Sequence, residues 1–302
     1  MTRTSWIKFL ALAAFWGASY LFIKVGLEDL SPAMVVFART ALAALVVLPL
    51  ALHRQALAGL GERIGALTVL ALVQVAVPFM LISVGEQEIA SSLAGILVAS
   101  APIFTALLAV WVDNEERSHG LALVGVITGM VGVALLLGVD AGGGSAALVG
   151  GLLVLLASLG YAIGAFWLKR RLVGPQPVGI VTATMGLSAL MTLPAAALSA
   201  PDSVPGIEAI AAVATLGVLG TGISFVLFYD LIATIGPARA SLVAYVAPGF
   251  SVVYGVTLLD ESFTAATAAG LLLILGGSWL AAEGRLPWRR RTPAPVAGEV
   301  AA

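Results

Sequence analysis

The sequence predicts an all-α integral membrane protein: ten transmembrane helices forming two inverted five-helix repeats, with the N-terminus and C-terminus both cytoplasmic. Three observations lead there. Of 302 residues, 60% are hydrophobic and 10% charged, with a mean hydropathy of +1.08. Soluble domains carry roughly 25% charged residues, and none could hide this much apolar surface from water. The apolar residues also fall into ten runs, each near the roughly 20 residues that cross a hydrocarbon core. Finally, the second half of the chain repeats the first at a nearly constant offset.

The runs are 6–26, 33–52, 64–84, 90–112, 119–139, 148–169, 178–199, 208–233, 239–259 and 265–283. They lack the period-two alternation of a membrane barrel. The first follows Arg3 and Lys8 and so mimics a secretory signal, but it is long for a signal core and has a counterpart deep in the chain. It is therefore expected to stay in the mature protein. On it, Trp16, Tyr20 and Lys24 form a stripe at i, i+4 spacing on one helix face. The second run opens after Ser31-Pro32 and contains Arg39; the third holds Gln74 and Pro78, and the fourth Pro102. Gly125 with Gly129 in the fifth, and Gly160 with Gly164 in the sixth, are small-xxx-small pairs suited to close helix packing. Gly174-Pro175-Gln176-Pro177 introduces the seventh, and Pro201-Asp202 separates it from the eighth, which Gly220-Thr221-Gly222 loosens and which carries Tyr229-Asp230. Tyr245 and Pro248 lie in the ninth.

Basic residues orient the bundle. With the N-terminus cytoplasmic, one side collects Arg3, Lys8, Arg54, Arg63, Arg117, Lys169, Arg170, Arg171, Arg239, Arg285, Arg289, Arg290 and Arg291. Only Lys24 falls on the other side, with Arg39 inside a segment, while that opposite face carries Glu28, Asp29, Glu86, Glu88, Asp202, Asp260 and Glu261.

Residues 78–116 align with 224–262 without a gap, placing Ala101-Pro102-Ile103-Phe104 on Ala247-Pro248-Gly249-Phe250 and Asn114-Glu115 on Asp260-Glu261. Nearer the start of each half, Trp16 falls on Tyr161, Lys24 on Lys169 and Pro32 on Pro177. The repeats are assigned to 1–143 and 144–285, leaving 286–302 as a basic, disordered cytoplasmic tail. Five segments per half, an odd number, require the second half to enter the membrane upside down. Inverted repeats are the architecture of secondary transporters, whose solute sits near the midplane between halves.

Several residues could hold that solute. Pro102 and Pro248 free carbonyls at equivalent places, pointing either to a water-filled cavity or to a packing kink. Arg39 inside an apolar run could bind a substrate carboxylate or an internal acid, or snorkel to the interface. Trp16 and Tyr20 could stack on solute, or pack. Ser19, Gln74, Tyr161, Tyr229 and Tyr245 supply hydrogen-bonding groups at membrane depth, each of which could equally satisfy a backbone carbonyl. Asp230 could carry an exchanged proton, or, as a structural group, reach cytoplasmic water or pair with Arg239. The run Trp288-Arg289-Arg290-Arg291 reads as a topological anchor or an anionic-lipid contact.

Phe15-Trp16-Gly17-Ala18-Ser19, Phe37-Ala38-Arg39, Ala101-Pro102 with its acidic loop, and Ala247-Pro248 followed by Asp260-Glu261 together resemble the EamA-type members of the drug/metabolite transporter superfamily. The resemblance covers about residues 5–285 and implies transport of a small organic solute without ATP. It also implies alternating access around a cavity lined by the first, third, fourth, sixth, eighth and ninth segments. Its members include amino-acid exporters and carriers of other metabolites, so export of amino acids or related metabolites across a bacterial inner membrane is the leading expectation. Another solute class (sugar, nucleoside or drug) is the alternative, and a membrane enzyme or scaffold a remote one.

No GxxxxGK[ST] loop occurs, so ATP-driven pumping has no engine here. HExxH and GxSxG sites are missing too. Neither His53 nor His119 has metal-ligand company, and the cluster Asp113-Asn114-Glu115-Glu116 lacks EF-hand spacing. No cofactor or metal is expected, a net charge of −1 leaves no footprint for nucleic acid, and the absence of cysteine excludes disulfides and thiolate chemistry.

Overall fold

A computed structural model describes residues 1–112, 121–139 and 144–283. The cluster Asp113 to Glu116, Arg117, His119, most of the Gly142–Gly144 run, Arg285 and the basic tail lie outside the described residues. Within them the chain is helical, without a strand. Among the described residues, nine helices are long and apolar enough to cross a membrane: α1 (Arg3–Gly26), α2 (Pro32–His53), α3 (Leu60–Glu88), α4 (Ser91–Ala109), α5 (Leu121–Gly138), α6 (Ser145–Arg171), α7 (Pro177–Leu198), α8 (Ile207–Ile235) and α10 (Ala265–Ala282). Helix α9 (Val243–Leu258) is shorter, at 16 residues, about 24 Å at 1.5 Å per residue.

The helix starts follow from local chemistry. Thr2 caps α1 by accepting from the Ser5 amide, and Ser31 caps α2 by accepting from Met34. Pro32 and Pro177 occupy first-turn positions, where a missing N–H costs nothing. The sequence anticipates a ninth helix from 239; the structure starts it at Val243. Gly236, at φ 84°, ends α8. A single turn, Pro237–Ala240, follows, and short-range bonds from Ala244 to Ser241 and from Tyr245 to Leu242 tighten the chain before α9 begins.

The two matched prolines behave differently. Pro248 lies inside a continuous α9. Pro102 instead follows a break in α4, where the amides of Ala99 and Ser100 reach back only three residues, to Ile96 and Leu97. Carbonyls freed in a membrane need donors. Ser100 and Ser158 hydroxyls donate to Leu97 O, and the Ser278 hydroxyl donates to Ala99 O at 2.7 Å.

Two other distortions do match. Leu72–Ala76 in α3 and Leu216–Ile223 in α8 are π-helical, and the offset of 146 superposes them. In α3 the cause is Pro78, which cannot donate and pushes on the preceding turn. In α8 the hydroxyls of Thr221 and Ser224 donate to carbonyls five residues back, Leu216 and Leu219, among three glycines.

Helices at equivalent places in the two halves pack against each other. On α5 and α10, Gly125 lies against Ala281, Gly129 against Gly277 and Gly132 against Ile274, so the pair is antiparallel. Helices α2 and α7 are antiparallel as well: Ser31 Oγ meets Ser199 Oγ at 2.7 Å at one end, and Gly179 abuts the Ala56 carbonyl at the other. Helix α3 packs on α6 through Gly160 and Gly164, whose missing side chains admit the π-helical segment at Val73 and Gln74. Helix α1 packs on α8 in the corresponding way, with Gly220 against Ser19.

Candidate functional site

The interior between the two π-helical segments is organised by Arg39. Its side chain comes from α2 and is 8% exposed. The Nε–H donates to Thr221 Oγ1 at 2.8 Å, and the guanidinium carbon stands 3.7 Å from the centroid of the Phe79 ring. Thr221 lies within the α8 distortion, and Phe79 one turn beyond that of α3. A guanidinium stacked on a ring and fixed through Nε is pre-organised, which leaves its outer fork available. The two Nη groups form no hydrogen bond among the described residues and keep accessible surface. A guanidinium fork of this kind can accept a planar anion such as a carboxylate.

Tyr20 of α1, Tyr161 of α6 and Glu86 of α3 are its electrostatic neighbours. Both tyrosines pack on buried clusters drawn from several helices, yet both stay partly accessible. Among the described residues, their hydroxyls, like that of Tyr229 and the amide of Gln74, bond no protein group, and they are not sealed from solvent. Polar groups without a protein partner at this depth can be met by water or by a solute. Beside it, Trp16 meets Phe228 at a centroid separation of 5.2 Å and Phe225 at 6.4 Å, while Tyr229 lies 6.0 Å from Phe228. These rings form an aromatic wall running from α1 to α8.

The structure therefore brings together Arg39, Tyr20 and Tyr161, with Trp16 and Tyr229 on the adjoining wall and Gln74 at the α3–α6 contact. It does not gather the rest. The Ser19 hydroxyl donates to Phe15 O in its own helix. Tyr245 donates to Ser278 O on α10. Pro102 follows the break in α4 and Pro248 lies within α9. Asp230 forms a 2.7 Å ion pair with Lys8 in which both side chains are about 40% exposed or nearly so, at 42% and 35%; its partner is Lys8 rather than the Arg239 considered above. A separate surface cavity of about 340 Å³ lies between α3 and α6, lined by Val84, Gln87, Glu88 and Ser145 among others, away from Arg39.

Sequence reasoning missed Thr221 and Phe79 as the support of Arg39, and Glu86 as an interior group. Thr221 carried a signal, a hydroxyl flanked by two glycines in an apolar helix. Phe79 carried none, since an aromatic residue in a membrane helix is unremarkable. Glu86 sits in the acidic Gly85-Glu86-Gln87-Glu88 turn, which reads as solvated, yet its side chain is fully buried.

The EamA-like transporter family matches the chain twice, over residues 4–138 and 148–282. The "Uncharacterized inner membrane transporter YedA" of Escherichia coli K12 is 29% identical over 261 residues, covering 84% of this chain and 82% of its own length. An "Uncharacterized transporter" of Archaeoglobus fulgidus is 26% identical over 289 residues, 93% of this chain and 99% of that one. A "Probable amino-acid metabolite efflux pump" of E. coli K12 is 23% identical over 300 residues, 96% and 98% respectively. A solved crystal structure at 18% identity aligns with a TM-score of 0.66 over 93% of this chain and 97% of its own, a likeness of fold. With both halves matched, the apolar helices in place and full-length relatives named as transporters, the chain is a multi-pass inner-membrane member of the EamA-like transporter family.

Proposed function

We propose that this transporter exports amino acids or related small carboxylate-bearing metabolites by alternating access, driven without ATP. The observation that carries this reading is the buried Arg39 guanidinium, fixed by Thr221 and Phe79 with its fork unbonded among the described residues and an aromatic wall beside it. Arg39 anchors the solute carboxylate; Tyr20 and Tyr161 offer hydroxyls beside it; Trp16, Phe225, Phe228 and Tyr229 desolvate the apolar part. The two halves, inserted in opposite senses with both termini cytoplasmic, rock around this point. Antiparallel packing of equivalent helices, α2 on α7 and α5 on α10, supports the inverted insertion. The 23% identical relative named for amino-acid metabolite efflux supports the solute class.

The test is efflux from proteoliposomes loaded with a mixed pool of amino acids, sugars and nucleosides, followed by mass spectrometry. Selective loss of one or a few amino acids, greatly slowed by Arg39→Gln, is the expected result. Retention of all amino acids beside loss of a sugar or nucleoside would move the assignment to that class, for which the aromatic wall also offers stacking surface.

A further inference from the structure

Glu86, in the last turn of α3, is fully buried, and both of its carboxylate oxygens are sealed from solvent with no hydrogen-bond partner. Among the described residues, no charged group around it bonds its carboxylate. From α1, the Lys24 ammonium donates to the backbone oxygens of Glu86 and Ile89, capping the end of α3 rather than meeting the carboxylate. From α2, Arg39 is turned to Thr221 and Phe79. Between α9 and α10, the Glu261 carboxylate accepts from the amides of Ser91 and Ser92 at the N-terminus of α4, and its negative charge disfavours a second one nearby. Tyr20 and Tyr161, from α1 and α6, bring hydroxyls to the same region. A carboxylate this deep without a hydrogen-bond donor is costly even with the Lys24 charge nearby, whereas the neutral acid is tolerated.

From this we infer that Glu86 is a proton-binding site, and that loading and unloading its proton couples solute movement to the pH gradient. The chemistry is one O–H bond made and later broken: a proton from water on one side joins the Glu86 carboxylate, the resulting acid is occluded in the buried position of that side chain, and the proton leaves to water on the other side. One proton crosses inward as one solute crosses outward, and no other bond changes. Lys24 is the counter-charge in waiting. When α1 and α3 separate, its ammonium can swing from the Glu86 and Ile89 carbonyls to the newly ionised carboxylate. The coupling rests on the transport reading above; the proton site does not.

Two measurements separate them. In the first, purified protein in nanodiscs, with no solute added, is titrated by infrared difference spectroscopy. A carboxylic-acid C=O band should be present at neutral pH, vanish in Glu86→Gln and shift but persist in Glu86→Asp. Both variants are checked for native helix content by circular dichroism. A spectrum unchanged by Glu86→Gln would overturn the proton site. In the second, proteoliposomes carry the amino-acid pool. Wild type should give faster net efflux under an inward proton gradient, and Glu86→Gln should lose that acceleration while keeping solute-for-solute exchange. Wild-type efflux indifferent to the gradient would overturn the coupling. A band that behaves as expected, in protein that moves no solute at all, would overturn the transport reading and leave the proton site standing.

Discussion

At the scale of single residues, Arg39 illustrates how a costly group is retained. Placing a guanidinium in an apolar helix costs about 2.5–3.5 kcal/mol on insertion scales, and here one neutral acceptor and one ring offset that only in part. Its support predicts an order of effects. Arg39→Gln removes a charge-assisted contact of about 1.5–3 kcal/mol, so the half-saturating solute concentration in the liposome assay should rise about 10- to 100-fold. Arg39→Lys keeps the charge but loses the Nε bond and the planar stack, and should fall between the two. Thr221→Val removes both the acceptor for Arg39 and the hydroxyl that donates to Leu216 O. It should weaken solute binding with Arg39 still present, and lower stability by about 1 kcal/mol, read as a lower unfolding midpoint in detergent. Equal activity of Thr221→Val and wild type would show that the guanidinium needs no fixing.

At the scale of elements, glycine decides where two helices touch. Gly276 and Gly277 are neighbours in α10 with opposite surroundings. A Cβ on Gly276 would meet nothing within 4 Å, whereas one on Gly277 would run into the backbone of Gly125 and Gly129. Gly276→Ala should therefore stabilise α10 by about 0.5–1 kcal/mol through helix propensity alone. Gly277→Ala must push two backbones apart and should cost about 1–3 kcal/mol. Thermal unfolding of the two variants in one detergent measures this, and a shared sign would mean that the α5–α10 contact is not close-packed. Helix positions were legible in the sequence because a span announces itself by twenty consecutive apolar residues, and the small-xxx-small pairs marked real contacts. The π-helical segments were not, because one extra residue in a turn leaves hydropathy unchanged. The unequal fate of Pro102 and Pro248 was equally hidden: it depends on which serines, such as Ser278 from α10, arrive to satisfy the opened carbonyls.

For the whole molecule, the candidate site was half legible. Arg39 stood out as a lone cation in an apolar run, but Glu86 was assigned to the outer face by the same charge count that oriented the bundle. Counting charges reads which end of a helix a residue belongs to, and cannot read whether its side chain turns inward. Alternating access makes a demand that the natural absence of cysteine renders easy to test. Ser31 Oγ and Ser199 Oγ lie 2.7 Å apart, one in each half, at the end of the bundle where Asp29 also accepts from the Gly206 amide. If the halves separate there once per cycle, the double variant Ser31→Cys/Ser199→Cys should transport normally when reduced, stop when oxidised and recover with reductant. Full activity in the cross-linked state would mean that this end never opens. The direction of that opening follows from single cysteines in the same background. Asp202→Cys, exposed beside this end, should react with a membrane-impermeant maleimide in intact cells, and Ala58→Cys, exposed at the opposite end, only after lysis. That pattern would place the Ser31–Ser199 contact on the outer gate and both termini in the cytoplasm. The reverse pattern would turn the bundle over and, with it, the direction proposed for solute and proton.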